Sequence, residues 1–115
     1  MGMIKGKVLE ENKMQKIDQV LQSARLCQNE DELFSLIREN MPGVALEVAK
    51  SIYATPRVLE GLTRHHSITV RHEVAKNKNT SVETLKRLCD DKDMLVRDYA
   101  RRTLGHKLLD QKIVP

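Results

Sequence analysis

Residues 55–80, TPRVLEGLTRHHSITVRHEVAKNKNT, and residues 81–106, SVETLKRLCDDKDMLVRDYARRTLGH, decide the fold, because they match one another at a shift of 26 positions. The same shift extends back to residues 29–54. Four apolar columns persist through these three units: Leu33/Leu59/Leu85, Leu36/Leu62/Leu88, Val44/Val70/Val96 and Val48/Val74/Ala100. A fixed period of this length is typical of a repeat protein, in which each unit buries its apolar face against its neighbours.

Each unit is predicted to form two short helices. The first helix starts at a column of residues that can cap a helix, Asn29, Thr55 and Ser81, and runs through the two leucines to about residues 39, 64 and 90. The second helix begins near residue 42, after residue 67 and after Asp93, which is itself a predicted N-cap. It carries the two valine columns, extended by Ile52 in unit one, and a spacing of four residues places these side chains on one face.

The segments outside the repeats are predicted to cover the two ends of the repeat stack. The leader, residues 1–28, does not repeat the apolar columns, but it contains a candidate capping helix from about residue 13 to residue 28. The tail, residues 107–115, is a candidate to close the other end with Leu108, Leu109, Ile113 and Val114. The expected architecture is therefore an all-α solenoid of three repeats at 29–54, 55–80 and 81–106, in one domain.

One part of the repeat resembles a known family. The run KNKNTSVETLKRL (76–88), then DKD (91–93) and Val96-Arg97, is similar to the leucine-rich repeat variant family, whose units read Asn-x-Asn-Thr-x-x-x-x-Leu-x-x-Leu, Asp-x-Asp and Val-Arg. The resemblance extends over residues 29–106; of the two earlier units, unit two also keeps the arginine, as Arg71, whereas unit one has Ala45 there. It implies a right-handed superhelical stack of helix pairs, similar to HEAT repeats. Such repeats can follow a cysteine cluster that holds an iron-sulfur centre, but Cys27 and Cys89 form no such cluster, so no cofactor is predicted.

The composition bounds the function. The chain has 115 residues, a formal net charge of +4, 40% hydrophobic and 3% aromatic residues, which predict one folded domain with an aliphatic core. No apolar run is long enough for a membrane span or a secretion signal, so the expected location is the cytoplasm. Neither a nucleophile motif nor a phosphate loop is present, and the chain is predicted not to be an enzyme.

The candidate binding residues form a cationic row. Lys50, Lys76 and Arg102 occupy one column, about 200° around the helix from the core stripe, and are expected to face solvent. Arg71 and Arg97 flank this row, and Arg101 and Lys78 lie nearby. A line of cations suits an acidic partner or a phosphate backbone. The alternative is structural: solvent-facing cations keep helices soluble, and Arg71 and Arg97 can bond loop carbonyls or carboxylates such as Asp91 or Asp93.

The four histidines give little support for a metal site. His65 and His66 end the first helix of unit two, while His72 and His106 lie on later segments without a cysteine or acid at a partnering interval. Histidines at helix ends are the simpler interpretation.

The sequence therefore predicts a non-catalytic interaction module whose second helices bind a protein partner or another copy of the chain. The main alternative is a nucleic-acid-binding protein that uses the cationic row on phosphates, although the modest charge and the few aromatics do not support base recognition. A HEAT-like DNA-repair enzyme is a further alternative, but it needs a cleft with an acidic residue and stacking aromatics, which the sequence does not locate.

Overall fold

A computed structural model of the chain describes residues 16–41 and 43–113, with side chains described up to residue 111. All regular elements in these ranges are helices, which confirms the predicted all-α class. Residues 16–26 are helical (α1). The remaining helices are α2 (Glu30–Arg38), α3 (Val44–Lys50), α4 (Pro56–Gly61), α5 (Ile68–Lys76), α6 (Val82–Leu88) and α7 (Met94–Ile113). None of the described helices is both long and apolar enough to cross a membrane.

The predicted capping column is confirmed. Asn29, Thr55 and Ser81 are the N-caps of α2, α4 and α6, and each side-chain oxygen accepts a hydrogen bond from the N–H three residues on, at 3.0, 3.3 and 3.1 Å. Asp93 likewise accepts from the Val96 N–H at 3.0 Å at the start of α7. These bonds satisfy N–H groups that have no partner within the helix, so they fix where each helix begins.

The apolar columns form the core. Every member of the four columns is buried except Leu36, which is partly buried and packs against the core. The second helices contact one another in series, α3 with α5 and α5 with α7, while α2 packs on α3 and α4, and α6 packs on α7. Ala24 of α1 is fully buried in the same core, and the Ser51 hydroxyl donates to the Arg25 carbonyl at 3.0 Å.

Two asparagines join unit two to unit one. The Nδ2 group of Asn77 donates to the carbonyls of Ala49 and Ser51 at 2.8 and 2.9 Å. The Nδ2 group of Asn79 donates to those of Ile52 and Ala54, also at 2.8 and 2.9 Å. The accepting carbonyls lie where the chain leaves α3, so the asparagines satisfy backbone groups that the helix itself leaves unpaired.

Some predicted helix limits are wrong. The helix α3 ends at Lys50, and Ile52 is 77% exposed instead of continuing the valine face. The reason is Ser51, whose hydroxyl accepts from the Tyr53 N–H at 3.0 Å and so holds the chain in a turn. The helix α4 ends at Gly61, before the predicted limit at residue 64. The leader helix ends at residue 26 instead of 28, and its predicted start at residue 13 lies outside the described residues.

The largest departure concerns the tail. The helix α7 continues without a break through residue 106 to Ile113, whereas α3 and α5 end after seven and nine residues. Leu108 and Leu109 on this extension are 39% and 58% exposed, so the prediction that they close the end of the stack is wrong. Val114 lies outside the described residues. The physical reason is Thr103, which stands where Asn77 ends α5 and has no comparable carbonyl contact to draw the chain out of the helix.

Candidate interaction surface on the second helices

The predicted cationic row lies on three consecutive helices. Lys50 and Lys76 are the last residues of α3 and α5, and Arg102 is in the middle of α7; all three are exposed. Because α3, α5 and α7 contact one another in series, the three cations follow one another across adjacent helices. Lys50, Lys76 and Lys78 also line one open groove between the ends of α3 and α5.

Two cations of the row converge on one aromatic ring. The Lys76 Nζ lies 5.5 Å and the Arg102 Cζ lies 5.7 Å from the ring centroid of Tyr99. Both distances fall in the range of favourable cation–π contacts, so Tyr99 holds the two side chains beside each other. Lys76 also lies 3.6 Å from the Glu73 carboxylate, an exposed pair that contributes little stability.

His72 belongs to the same cluster. Its ring meets the Tyr99 ring edge-on, with centroids 4.3 Å apart and an angle of 87° between the planes. Its Nε2 atom is buried and has no hydrogen-bond partner in the described chain. His72 is thus separated from the stacked pair His65 and His66, whose ring centroids lie 4.3 Å apart at the turn after α4. The described residues contain no group of three His, Cys, Asp or Glu side chains that could hold a metal ion.

Arg71 has the structural role that the sequence left open. Its Nη1 donates to the carbonyls of His65 and His66 at 2.7 and 3.3 Å, and so closes the turn before its own helix. Its Nε and Nη2 donate to the two carboxylate oxygens of Asp91 at 3.0 and 3.4 Å. The side chain of Arg71 is only 14% exposed and that of Asp91 only 8%. This bidentate ion pair connects the inter-helix turn of unit two to the equivalent turn of unit three.

Arg97 repeats half of this arrangement. Its Nη1 donates to the carbonyls of Asp91 and Lys92 at 2.8 and 3.1 Å, which are the positions of His65 and His66 one unit later. Arg97 therefore also closes the turn before its own helix, and its remaining donors have no acceptor among the described residues.

Arg101 lies on a different side of the stack from the row. It shares a column with Ala49 and Ala75, which are fully buried, while its own side chain is 63% exposed. The column is buried in α3 and α5, each of which is followed by another second helix, and it is exposed in α7. The column therefore faces the place where the second helix of a following unit would pack. Arg101 pairs there with Asp98 of its own helix at 3.8 Å.

A second open groove lies between the turns that Arg71 connects. It is lined by His65, His66, Asp90 and Asp93, among others. Burial lowers the pKa of the His65 imidazole below its ordinary value of 6.5, and the nearby charges of His66 and Arg71 lower it further. The His65 Nδ1 accepts a hydrogen bond from the Ser67 N–H at 3.1 Å, a contact that requires this nitrogen to be unprotonated.

The comparison with protein families agrees with the resemblance seen in the sequence. The family model described as leucine rich repeat variant matches residues 68–93. Residues 68–93 are therefore similar to one unit of that family. Neither the search of curated proteins nor the search of solved structures finds a significant match.

The leucine rich repeat variant match fits the contacts above. It begins with α5, continues through Asn77, Asn79 and α6, and ends at Asp93. It therefore contains Arg71 with its Asp91 partner, and the asparagines that bind the preceding unit. Among the candidate residues it covers Arg71 and Lys76. The sequence missed the role of Tyr99, because units one and two have Glu47 and Glu73 in that column.

Proposed function

We propose that this chain is a non-catalytic helical-repeat interaction module, and that the surface of α3, α5 and α7 binds a protein partner. The proposal includes the finer architecture: a right-handed superhelical stack of three two-helix repeats at 29–54, 55–80 and 81–106, led by a capping helix. A cytoplasmic location belongs to the same proposal.

The observation that carries it is the convergence of Lys76 and Arg102 on Tyr99. Long cationic side chains lose rotamer freedom when a partner binds them, and that loss weakens binding. The ring of Tyr99 already restrains both side chains in the free protein. A partner that brings a carboxylate to this place meets two cations around a partly buried aromatic, a composition typical of interface centres.

The partner is expected to be acidic where it meets the row. Lys50 extends the cationic line onto α3, and Lys78 lies beside it in the groove. Complementary charge raises the association rate and orients the partner, so binding is expected to weaken as salt concentration rises.

The distribution of charge along the chain favours a second copy of the chain as the partner. The first turn of α2 carries Glu30, Asp31 and Glu32, whereas the cations of the row lie on α3, α5 and α7. Opposite signs on different parts of one chain favour association between copies. Sedimentation or light scattering over a range of protein concentrations distinguishes this case from binding to another protein.

Nucleic-acid binding by the row is the alternative function. The same cations favour it, because a phosphate backbone is also a line of negative charge. The position of Tyr99 argues against sequence-specific binding. Its ring already contacts His72, Lys76 and Arg102, so it does not offer a free face for base stacking. Binding to random duplex DNA that falls steeply with salt would favour this alternative.

The test is a charge reversal of the row. We compare the wild type with the triple variant Lys50→Glu, Lys76→Glu and Arg102→Glu by quantitative partner capture and cross-linking. The matched control reverses three exposed cations elsewhere, Arg57, Arg64 and Lys86. A partner retained by the wild type and the control but lost from the row variant supports the proposal. Equal capture by all three folded proteins, or by none, contradicts it.

A further inference from the structure

One side of α7 is covered by no other described helix. Helical residues are spaced by about 100°, so Met94, Arg97, Arg101 and Leu108 lie within an arc of about 60°. Tyr99, which contacts α5, lies about 200° from Arg97, so this arc faces away from α5. Met94 and Leu108 are 63% and 39% exposed. We call these four residues the end face.

We propose that Arg97 on the end face binds an Asp or Glu carboxylate from an acidic segment of a partner protein. This inference rests on the proposed function, that the chain is an interaction module, and it names a second contact site and the chemistry of its ligand. The end face is distinct from the row of Lys50, Lys76 and Arg102, which lies on other sides of the second helices.

The chain itself supplies the template for this contact. In unit two, the guanidinium of Arg71 uses Nη1 on the carbonyls of its own turn and Nε with Nη2 on the carboxylate of Asp91 in the following turn. Arg97 makes the first half of this contact with nearly the same distances, 2.8 and 3.1 Å. Its Nε and Nη2 are therefore held towards the place where the acid of a further unit would lie.

No described residue fills that place. The helix α7 continues to Ile113 instead of turning after residue 103, so the chain that follows leads away along the helix axis. Because the turn carbonyls already fix the guanidinium of Arg97, a carboxylate that binds it gains two charge-assisted hydrogen bonds without ordering a flexible side chain. Arg101 adds a second positive charge, and its only ion-pair partner in the described chain is Asp98 at 3.8 Å.

The neighbouring side chains define the rest of the partner. Met94 and Leu108 flank the two arginines with apolar surface, so the matching segment carries apolar residues beside its acid. Methionine adapts to differently shaped apolar partners. The end face therefore fits an acidic peptide segment with interspersed leucine-like residues.

The test uses a blocked peptide of alternating Asp and Leu residues, and the same peptide with Asn replacing every Asp. The peptides are titrated into the isotope-labelled full chain, and NMR follows the Arg97 Nε–Hε signal and the Met94 methyl signal. We expect the acidic peptide to shift both signals and the Asn peptide to leave Arg97 unshifted. Arg97→Lys, which keeps the charge but loses the paired donors, should weaken binding about tenfold, whereas Arg57→Lys should change it less than about twofold.

Each other outcome overturns the inference. If both peptides shift Arg97 equally, the carboxylate is not recognised; if inorganic phosphate shifts Arg97 and the acidic peptide does not, the ligand class is wrong. If the acidic peptide shifts only the signals of Lys76 and Arg102, the end face is not used, although the interaction module stands. The wild-type titration needs no variant, so a loss of folding in Arg97→Lys would not obscure the result.

Discussion

The pair formed by Arg71 and Asp91 should carry a large share of the stability between units two and three. Replacing Asp91 with Asn keeps the size of the side chain and removes its charge. Arg71 then stays largely buried, at 14% exposed, without its counter-ion. Breaking a fully buried ion pair by removing one partner costs about 3–5 kcal/mol.

Two features reduce this figure. Arg71 keeps its bonds to the carbonyls of His65 and His66, and the new amide oxygen of Asn can still accept the bond that Asp91 takes from the Asp93 N–H at 2.9 Å. We therefore expect Asp91→Asn to lower the free energy of unfolding by about 2–3 kcal/mol. For a chain of this length the corresponding fall in Tm is about 8–12 °C.

A second ion pair provides the control. Arg87 and Glu60 lie closer together, at 2.6 Å, but their side chains are 54% and 53% exposed. Solvent screens this pair, so Glu60→Gln should cost less than about 0.5 kcal/mol. Both values come from urea unfolding followed by circular dichroism. The reasoning is refuted if Glu60→Gln costs as much as Asp91→Asn, or if Asp91→Asn costs less than about 1 kcal/mol, because burial would then not decide the strength of the pair.

Three further outcomes follow from the packing and the protonation of single residues. Asn77→Ala removes two hydrogen bonds to carbonyls of unit one and should cost about 2–3 kcal/mol in urea unfolding; a loss below about 0.5 kcal/mol would contradict the assigned contacts. Ala75→Leu should lower the free energy of unfolding by about 1–3 kcal/mol because Ala75 is fully buried. Arg101→Leu in the same column should change it by less than about 0.5 kcal/mol. Similar costs would disprove that this column faces the second helix of the following unit. The lowered pKa of His65 means that the native state disfavours its protonation, so stability should fall as the pH drops below about 6.5, and the fall should be smaller in His65→Gln. An equal pH dependence in both proteins would exclude His65 as its source.

The repeat period predicted the parts of the fold that depend on local chemistry. Capping residues and apolar columns act within one unit, so Asn29, Thr55 and Ser81 could be assigned from their column alone. The turn-closing role of Arg71 and Arg97 was also visible as an alternative, because an arginine can reach the carbonyls of a turn just before its helix. Such assignments need only the spacing of residues along the chain.

The contacts between units were harder to predict. Tyr99 has glutamates in its column, and nothing in the sequence indicates that it would face His72 and Lys76. One missed signal was present: Arg101 breaks a column that is alanine in units one and two. A small buried residue replaced by a long cation indicates that no other described helix packs against this side of α7. The length of α7 follows from a second difference, since unit three has Thr103 where Asn77 ends α5.

The contacts between units differ along the chain, and units two and three are joined by the stronger ones. Units two and three are joined by the bidentate pair of Arg71 and Asp91 and by the cluster around Tyr99. Unit one has Ala45 where unit two has Arg71, so it cannot form the equivalent pair. Its Glu30 instead accepts from the Thr55 hydroxyl at 2.6 Å and lies 3.6 Å from an arginine that is 78% exposed.

In a stack where each unit contacts only its neighbours, stability is close to a sum of unit and interface contributions. The weaker electrostatic contact between units one and two makes the asparagine bonds of Asn77 and Asn79 the main polar connection there. The stronger contact holds α5, α6 and α7 together as a rigid support for Tyr99 and for Arg97. Lys76, Arg102 and Tyr99 of the first proposed site and Arg97 of the second therefore lie in the two units that are joined by the stronger contacts, whereas Lys50 lies in unit one. Rigid presentation of charged groups limits the entropy lost when a partner binds.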